Sequence, residues 1–353
     1  MPLSKVLPTS IPEQIPADLQ ACFKSNRIGD SFHNPWRPPL NLGLPDLLRW
    51  KLGGNSIAKT INNGRRRPYR PPTLADPAGS FQSLQGHARV MWLGHASLLV
   101  QIDGITLLID PVFGRAGGFV PRKAPDPLSV KELPHIDAVL LSHGHYDHLD
   151  AGSLSKLSKR FGPDLLFITP LGLSYNLPGI CRRRVELDWW NYVDFRGVQL
   201  HMVPAQHWHR RTPFDMNKKL WGGWVIQGTR TIYHSGDTGF FRGFAAIAHV
   251  FDTIDLAVLP LGAYEPRWFM GEQHMAPEDS VQAFIDLGAR NFMAMHWGTF
   301  DLTDEPLDHG ARDLLPAIID ERGQDPTRFH VLSHGGSIGW EGEEAVVLGP
   351  VLF

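Results

Sequence analysis

Three histidines and one aspartate lie within six consecutive residues near the middle of the chain, in the order His-x-His-x-Asp-His. They are His143, His145, Asp147 and His148, and they follow an apolar run. In an extended segment alternate side chains share a face, so His143, His145 and Asp147 project to one side. Imidazole and carboxylate are the ligands that zinc and its first-row neighbours prefer, and two pairs of them in one loop indicate two adjacent metal ions. A His-rich turn exposed to solvent is the alternative.

Further candidate ligands follow apolar segments elsewhere in the chain. His207, Asp237 and His296 each stand just past a segment with the pattern of a buried strand. In layered α/β folds sites gather at strand ends, so these residues can converge with the His-rich loop on one spot. Asp110, which closes an apolar run, could accept a hydrogen bond from a ligand histidine. It could equally be a turn aspartate that ends a strand.

The composition is that of an ordinary globular protein. The chain has 353 residues, 42% hydrophobic and 20% charged, with a formal net charge of -2. This balance predicts no nucleic-acid partner, because a dedicated nucleic-acid binder is strongly basic. The two cysteines, Cys22 and Cys181, predict neither a disulfide framework nor a cysteine zinc site. Without a signal-peptide pattern or a long apolar run, the sequence predicts a cytoplasmic protein that could touch a membrane from one side.

The sequence predicts an N-terminal arm, residues 1–85, that wraps the core, and an α/β domain, residues 86–353. The arm is rich in Pro, Arg, Asn and Ser. Its basic cluster, Arg65, Arg66 and Arg67 with Tyr69 and Arg70, could contact phosphate or anionic lipid, or be a solvated turn. The domain alternates short apolar strands with amphipathic helices. Strands are predicted over 90–93, 97–102, 106–109, 138–141, 165–169, 198–204, 224–226, 231–233, 256–260, 292–295 and 329–332, and helices over 45–52, 151–161, 277–287 and 311–319.

Five runs carry a resemblance to known proteins: 92–96 (WLGHA), 145–150 (HYDHLD), 204–212 (PAQHWHRRT), 262–268 (GAYEPRW) and 296–300 (HWGTF). They resemble the metallo-β-lactamase superfamily and, more narrowly, the N-acyl-phosphatidylethanolamine-hydrolysing phospholipase D group. The resemblance covers about residues 85–335. It implies a four-layer αβ/βα sandwich, and group relatives suggest a homodimer.

The resemblance also implies a ligand set for two zinc ions, with iron or manganese as alternatives. It assigns one ion to His143, His145 and His207, the other to Asp147, His148 and His296, and makes Asp237 the bridge. It adds His274, which could bind phosphate or donate a proton to the leaving group, or could cap the helix that begins at Pro277. Asp147, Asp237 and His274 are thus the predicted catalytic residues. His95 and His334 are predicted to support the ligands, or to be ordinary structural histidines.

Two divalent ions about 3.5–4 Å apart activate water and clamp the attacking and leaving oxygens of a phosphoryl centre. The residue types near the ligands favour a phospholipid or another amphipathic phosphodiester as substrate. Arg210, Arg211 and Arg267 could neutralise phosphate, while Trp208 and Trp268, with Trp221, Trp224 and Trp297, could line an acyl chain or belong to the core. We therefore predict a phospholipase D-type phosphodiesterase. The alternatives are a lactonase or sugar-phosphate hydrolase of the same superfamily, if the cleft is small and polar, and a non-enzymatic metal-binding scaffold, if the ligand set is incomplete.

Overall fold

The computed structural model of the protein describes residues 5–38, 44–52 and 69–351. Of the basic cluster in the N-terminal arm, Arg65, Arg66 and Arg67 lie outside the described residues. Among the helices that the structure describes, none is long and apolar enough to cross a membrane.

Eighteen strands are numbered along the described chain. Sixteen of them form two eight-stranded sheets, and a hairpin of two short strands stands apart. The strands are β1 (Val6–Pro8), β2 (Arg27–Ile28), β3 (Ser31–Phe32), β4 (Ala88–Gly94), β5 (Ser97–Ile102), β6 (Ile105–Ile109), β7 (Ala138–Leu140), β8 (Leu166–Pro170), β9 (Arg183–Leu187), β10 (Asn191–Phe195), β11 (Val198–Val203), β12 (Gly223–Gln227), β13 (Thr231–His234), β14 (Leu256–Pro260), β15 (Asn291–Met295), β16 (Phe329–His330), β17 (Leu332–Glu341) and β18 (Glu344–Pro350).

The first sheet has the order β1-β10-β11-β12-β13-β14-β15-β16, and the second has the order β18-β17-β4-β5-β6-β7-β8-β9. In the first sheet β13, β14, β15 and β16 are parallel, and β11 runs in the same direction because β12 is antiparallel to both β11 and β13. In the second sheet β6, β7, β8 and β9 are parallel, and β4 shares their direction. The carboxyl ends of these strands therefore meet at one edge of each sheet.

Seven α-helices are described: α1 (Leu44–Leu52), α2 (Pro77–Ser83), α3 (Ala151–Phe161), α4 (Gly243–Val250), α5 (Arg267–Met270), α6 (Pro277–Leu287) and α7 (Leu315–Glu321). The helices predicted over 45–52, 151–161 and 277–287 match α1, α3 and α6. The helix predicted over 311–319 is divided into a π-helical turn, His309–Leu314, and α7. Pro316 explains the break, since it has no N–H to continue the preceding helical ladder.

Strand alternation builds the layers. In β4, Val90 and Trp92 face the main core between the sheets, whereas Met91 and Leu93 face a second core. That second core includes Leu154 of α3. The main core takes residues from both sheets and from α4, α6 and α7. Helices thus cover the outer face of each sheet, because strands such as β4, β5 and β6 carry apolar side chains on both faces. The predicted four-layer αβ/βα sandwich is confirmed.

The described part of residues 1–85 packs onto these layers. β1 extends the first sheet as an edge strand beside β10, and Cys22 and Phe32 join the main core. Phe81 of α2 joins the second core. The boundary between residues 85 and 86 stays a prediction.

Candidate metal centre

The His-rich loop, residues 141–149, is held at both ends by buried backbone. At its start Leu141 N–H donates to the Ile168 carbonyl at 3.0 Å, in register with the neighbouring strand. At its end Asp150 caps α3 by accepting from Ser153 N–H at 2.7 Å. Between these points the carbonyl of His145 accepts the N–H of Leu149 at 2.9 Å, which folds the loop into a turn. The loop therefore presents its histidines from a fixed backbone.

One group of candidate donors surrounds Nδ1 of His145, and we name it the first donor group: His143, His145, His207 and Asp237. Nε2 of His143 lies 3.0 Å and Nε2 of His207 lies 3.1 Å from His145 Nδ1. Oδ2 of Asp237 lies 3.7 Å from His143 Nε2. β11 and β13 of one sheet and β7 of the other deliver these residues.

The second donor group consists of Asp147, His148 and His296, which approach the other oxygen of Asp237. Asp237 Oδ1 lies 3.2 Å from His148 Nε2 and 3.1 Å from His296 Nε2. Oδ2 of Asp147 lies 3.8 Å and 3.9 Å from the same two nitrogens. The two oxygens of Asp237 thus face different donor groups, which is the arrangement of a bridging carboxylate.

The contacts within the groups fit metal ions better than hydrogen bonds. Nε2 of His148, Nε2 of His296 and Oδ1 of Asp237 are buried and have no hydrogen-bond partner among the described residues. In a tetrahedral zinc site with bonds of about 2.0–2.1 Å, ligand atoms stand roughly 3.3–3.4 Å apart. The separations of 3.0–3.9 Å in these groups bracket that value.

The electrostatics of the site favour cations. Burial, with repulsion from neighbouring histidines, holds the pKa values of His143 and His207 well below their usual range. These rings are therefore neutral at physiological pH, as ligands must be. Although burial opposes it, attraction to neighbouring histidines, His148 first, keeps the pKa of the Asp237 carboxyl well below its ordinary value. Burial also opposes positive charge on His148, yet Asp237 and Asp147 raise its pKa well above 6.5. The carboxylates thus stabilise positive charge at the position where the resemblance places a metal.

In three of the histidines, the ring nitrogen that points away from the donor groups, here called the outer nitrogen, makes a hydrogen bond. This bond turns the other ring nitrogen towards the donor groups. Nδ1 of His207 donates to the Gln273 carbonyl at 3.1 Å. Nδ1 of His148 donates to Asp110 Oδ2 at 2.8 Å, and Nδ1 of His143 donates to Ser142 Oγ at 2.9 Å. A neutral ring with one N–H keeps a lone pair on its other nitrogen, so these bonds set the tautomers of His143 and His207. In His148 the same bond would leave Nε2 as the ligand atom once a metal displaces its proton. Asp110 thus lies where the sequence placed a supporting acceptor.

Two of these supporting residues were missed by the sequence reasoning. Ser142 bridges Asp110 and His143. Its N–H donates to Asp110 Oδ1 at 2.7 Å, and its hydroxyl, which accepts from His143 Nδ1, donates to Asp110 Oδ2. Its position directly before His143 was the available signal. Gln273 acts through its backbone carbonyl, which leaves no signal in the side-chain pattern.

His95 lies closer to the ligands than His334 does. His95 Nε2 lies 2.9 Å from Asp147 Oδ2, and its ring packs on that of His296 with centroids 3.8 Å apart. Burial, with repulsion from His296, lowers the pKa of His95 to about 3. His95 is therefore neutral and donates its proton to Asp147. His334 contacts Thr299 instead, with Nε2 2.9 Å from Oγ1.

His274 faces the donor groups from the opposite wall. Its Nδ1 lies 3.9 Å from Asp237 Oδ2, and burial lowers its pKa to about 4. The helix that begins at Pro277 is capped by Asp279, which accepts from Ala276 N–H at 3.0 Å. His274 is therefore not the cap of that helix.

Both donor groups open onto one cleft of about 580 Å³. Its walls are mainly apolar and aromatic, and His274 stands among the lining residues. Arg210 is the only Lys or Arg among the described residues of the lining. The remaining wall residues include Trp50, Ala116, Phe119, Val120, Tyr146, Trp208, Phe269, Met270 and Leu302.

Three residues predicted to bind substrate do not line this cleft. Arg211 lies behind the His-rich loop, where its guanidinium donates to the carbonyls of Gly144 and Leu149 at 2.7 and 3.0 Å. Arg267 donates to the His274 carbonyl at 3.1 Å and to Asp279 at 2.8 Å. Trp268 is exposed outside the cleft, with the Arg49 guanidinium 4.5 Å from its ring. Trp221, Trp224 and Trp297 are core residues.

Comparisons with known proteins agree with this geometry. A family model described as beta-lactamase superfamily domain matches residues 106–297. The N-acyl-phosphatidylethanolamine-hydrolyzing phospholipase D 1 of Caenorhabditis elegans is 34% identical over 349 residues, 92% of this chain and 96% of the relative. A metal-dependent hydrolase of Methanopyrus kandleri is 29% identical, over 67% of this chain and 94% of the relative. The metallo hydrolase Igni18 of Ignicoccus hospitalis shares the fold, with a TM-score of 0.53 and 19% identity over 74% of this chain and 98% of that one.

Proposed function

The chain belongs to the metallo-β-lactamase superfamily, in the group of N-acyl-phosphatidylethanolamine-hydrolysing phospholipases D, and from this premise we propose that it is a binuclear-zinc phosphodiesterase of phospholipase D type. As a member it is a metal-dependent hydrolase. The proposed substrates are N-acyl-phosphatidylethanolamine-like phospholipids. One observation carries the proposal: two donor groups that share Asp237 open onto a large, mainly apolar cleft. Arg210 is the one arginine among the described residues that line it.

The proposed ligands of one zinc are His143, His145 and His207, and those of the other are Asp147, His148 and His296, with Asp237 shared. Two bound ions would supply an activated water and charge neutralisation at phosphorus. Asp110, Ser142 and Gln273 keep the ligand rings oriented through their outer nitrogens.

The cleft residues would place the substrate. The side chain of Arg210 lines the cleft and can bind a phosphate oxygen, because a guanidinium matches phosphate in charge and geometry. The aromatic wall of Trp208 and Phe269 suits an acyl chain. His274 would contact the phosphate or the leaving oxygen, because its ring lies between this wall and Asp237.

Exposed apolar side chains at the cleft mouth support an amphipathic substrate and contact with a lipid surface. Phe119 is 65% exposed and packs against Tyr146, which is 42% exposed. The Tyr146 hydroxyl donates to the Arg211 carbonyl, next to the turn whose tip, Phe214, is 90% exposed. Trp268, which packs against the lining residue Phe269, is also exposed. Apolar residues grouped in this way mark interaction surfaces.

The cleft also separates the proposed function from its alternatives. A lactonase or sugar-phosphate hydrolase was expected to have a small and polar cleft, and this one is large and mainly apolar. A non-enzymatic scaffold was expected to have an incomplete ligand set, whereas all seven predicted ligand positions lie in the two groups. The homodimer stays a prediction.

Headgroup release in oxygen-18 water tests the proposal. The zinc-loaded protein is incubated with a panel of phospholipids and N-acylated phospholipids, and the products are analysed by mass spectrometry. Label in the phosphatidic acid supports attack at phosphorus. Label in a free fatty acid would indicate acyl hydrolysis instead, and activity confined to small lactones or sugar phosphates would refute the proposal.

A further inference from the structure

We propose that the N-terminal segment holds the two donor groups through two separate clamps, each of which sets the zinc affinity of one group. The proposal rests on the binuclear centre proposed above. It goes beyond the ligand set because it assigns a role in metal binding to residues that touch no proposed metal position. The first clamp consists of Asn34 and Trp36, and the second of Tyr69, Pro72, His334 and Thr299.

The first clamp makes hydrogen bonds to His207 and to Gln206, the residue before it. Nδ2 of Asn34, a residue only 8% exposed, donates to the His207 carbonyl at 3.0 Å. Nε1 of Trp36 donates to Gln206 Oε1 at 2.9 Å. The Trp36 ring stacks on Phe241 with a centroid distance of 4.5 Å, which anchors the clamp in the main core. The first clamp thus fixes the main chain of His207, while Gln273 fixes its ring.

The second clamp reaches the other donor group through a chain of buried hydrogen bonds. The Pro72 carbonyl accepts from Nδ1 of His334 at 3.0 Å, so Nε2 of His334 accepts from the Thr299 hydroxyl at 2.9 Å. The same hydroxyl oxygen accepts from His95 N–H at 2.7 Å. His95 Nε2 then donates to Asp147 Oδ2 at 2.9 Å.

A parallel contact holds the segment after His296. The Tyr69 hydroxyl donates to the Gly298 carbonyl at 2.9 Å. In addition, His296 N–H donates to the His95 carbonyl at 2.9 Å, so the position of His95 affects both Asp147 and His296. Among the described residues, the hydrogen bonds of Tyr69 and Pro72 lead to the second donor group, and those of Asn34 and Trp36 lead to the first.

The clamps should act on affinity because a ligand that is held in place loses less freedom when the metal binds. Changing residues that orient ligands commonly lowers metal affinity by about 10–100-fold. The two clamps share no residue, so their effects should fall on different zinc ions. Zinc binding to the full-length chain, titrated in competition with a chelator, measures this directly and requires no activity.

Two near-isosteric substitutions test the clamps separately. Asn34→Leu removes the donor to the His207 carbonyl, and Thr299→Val removes the hydroxyl between His334 and His95. We expect each to weaken one of two zinc equivalents by about 10–100-fold and to leave the other within about threefold. Thr299→Ser, which keeps the hydroxyl, should restore binding. Thr9→Val is the matched control, since Thr9 Oγ1 bonds His201 Nδ1 at 2.9 Å and, among the described residues, neither side chain contacts a proposed ligand.

A ligand-deficient background attributes each effect to its group. In His207→Ala, which disables the first donor group, Thr299→Val should still weaken the remaining zinc and Asn34→Leu should change nothing further. Denaturant unfolding of the metal-free variants separates loss of folding from loss of affinity. If folded Asn34→Leu and Thr299→Val bind both zinc ions with normal affinity, the role of the clamps is wrong and the binuclear centre still stands. The same conclusion follows if either variant lowers the affinity for both zinc ions equally. A wild-type chain that binds no zinc would overturn the binuclear centre and the clamps with it.

Discussion

Replacing Asp110 by asparagine should weaken zinc binding at the second donor group. Asp110 is fully buried and accepts three hydrogen bonds, from the N–H and hydroxyl of Ser142 and from His148 Nδ1. Asparagine keeps one oxygen, which can still accept from Ser142 N–H. Its amide would then present N–H groups to two donors. His148 can relieve this conflict only by giving up its Nδ1 proton and keeping a proton on Nε2, the nitrogen that faces Asp237.

The magnitude depends on whether metal is bound. Hydrogen bonds to charged groups contribute about 1.5–3 kcal/mol each. Without metal, His148 can give up its Nδ1 proton and accept one bond from the new amide, so the free energy of unfolding should fall by about 1.5–3 kcal/mol. With metal, Nε2 must keep its lone pair and the conflict remains. Zinc affinity at that position should therefore fall by about 10–100-fold.

Chelator-competition titration and urea unfolding measure the two effects on the same variant. Asp255→Asn is the matched control, because Asp255 is also a buried carboxylate that accepts a backbone N–H, from Thr231 at 2.8 Å, and it has no contact with the donor groups among the described residues. The control should lose stability and keep both zinc affinities. If Asp110→Asn binds both zinc ions like the wild type, Asp110 does not hold His148 as a ligand and the reasoning is refuted.

Three further predictions use other parts of the structure. Asp237→Asn should lower zinc content and abolish hydrolysis, since both donor groups face this carboxylate. His274→Ala should instead keep two zinc ions and have a lower kcat. Metal analysis and kinetics on both variants test this, and loss of zinc in His274→Ala would contradict the role proposed for His274. Burial lowers the pKa of His201 to about 4. As pH falls, His201 is therefore protonated in the unfolded chain before it is protonated in the folded one. The free energy of unfolding should decrease between about pH 6.5 and about pH 4, by up to about 3 kcal/mol. His201→Gln should flatten that part of the pH–stability curve measured by urea unfolding, and an unchanged curve would contradict this origin. Phe119→Ser should lower vesicle binding and activity on vesicles, and it should not affect activity on a short-chain monomeric substrate. Ile285→Ser, which also removes a partly exposed apolar side chain, is the control and should change none of these quantities. Equal losses of activity on vesicles and on monomeric substrate would count against a lipid-facing rim.

The sequence was most informative where a residue directly follows a strand. His143, His207, Asp237 and His296 were all predicted at strand ends, and the parallel strands bring these ends together because their carboxyl ends share an edge. The short strands β1, β2 and β3 were missed, and the strand predicted over 329–332 reached β17 only at Leu332, because the glycines and serines of β17 hide its apolar pattern. Strands β9, β10 and β18 were missed as well. Their alternation is weak: β9 and β18 include several partly exposed residues, and their charged side chains hide the apolar pattern.

Neighbouring residues in a loop were harder to separate than residues on strands. Arg210 and Arg211 were predicted to share a role, but only Arg210 lines the cleft. Asp215 accepts the N–H groups of Arg211 and Thr212 at 3.0 and 2.8 Å, and this turn sends Arg211 behind the His-rich loop. Loop residues have no fixed period, so sequence spacing cannot tell which side chain faces the cleft.

The position of Asp237 explains why the metal centre should matter for the whole domain. β7 of the second sheet delivers His143, His145, Asp147 and His148, whereas β11, β13 and β15 of the first sheet deliver His207, Asp237 and His296. Each donor group therefore takes residues from both sheets, and neither is complete until the sheets have packed. A ligand that binds only the packed state stabilises it by mass action. Zinc bound here would thus stabilise the contact between the two sheets as well as the loops, and the apolar core that unites the sheets is in turn what holds the seven proposed ligands together.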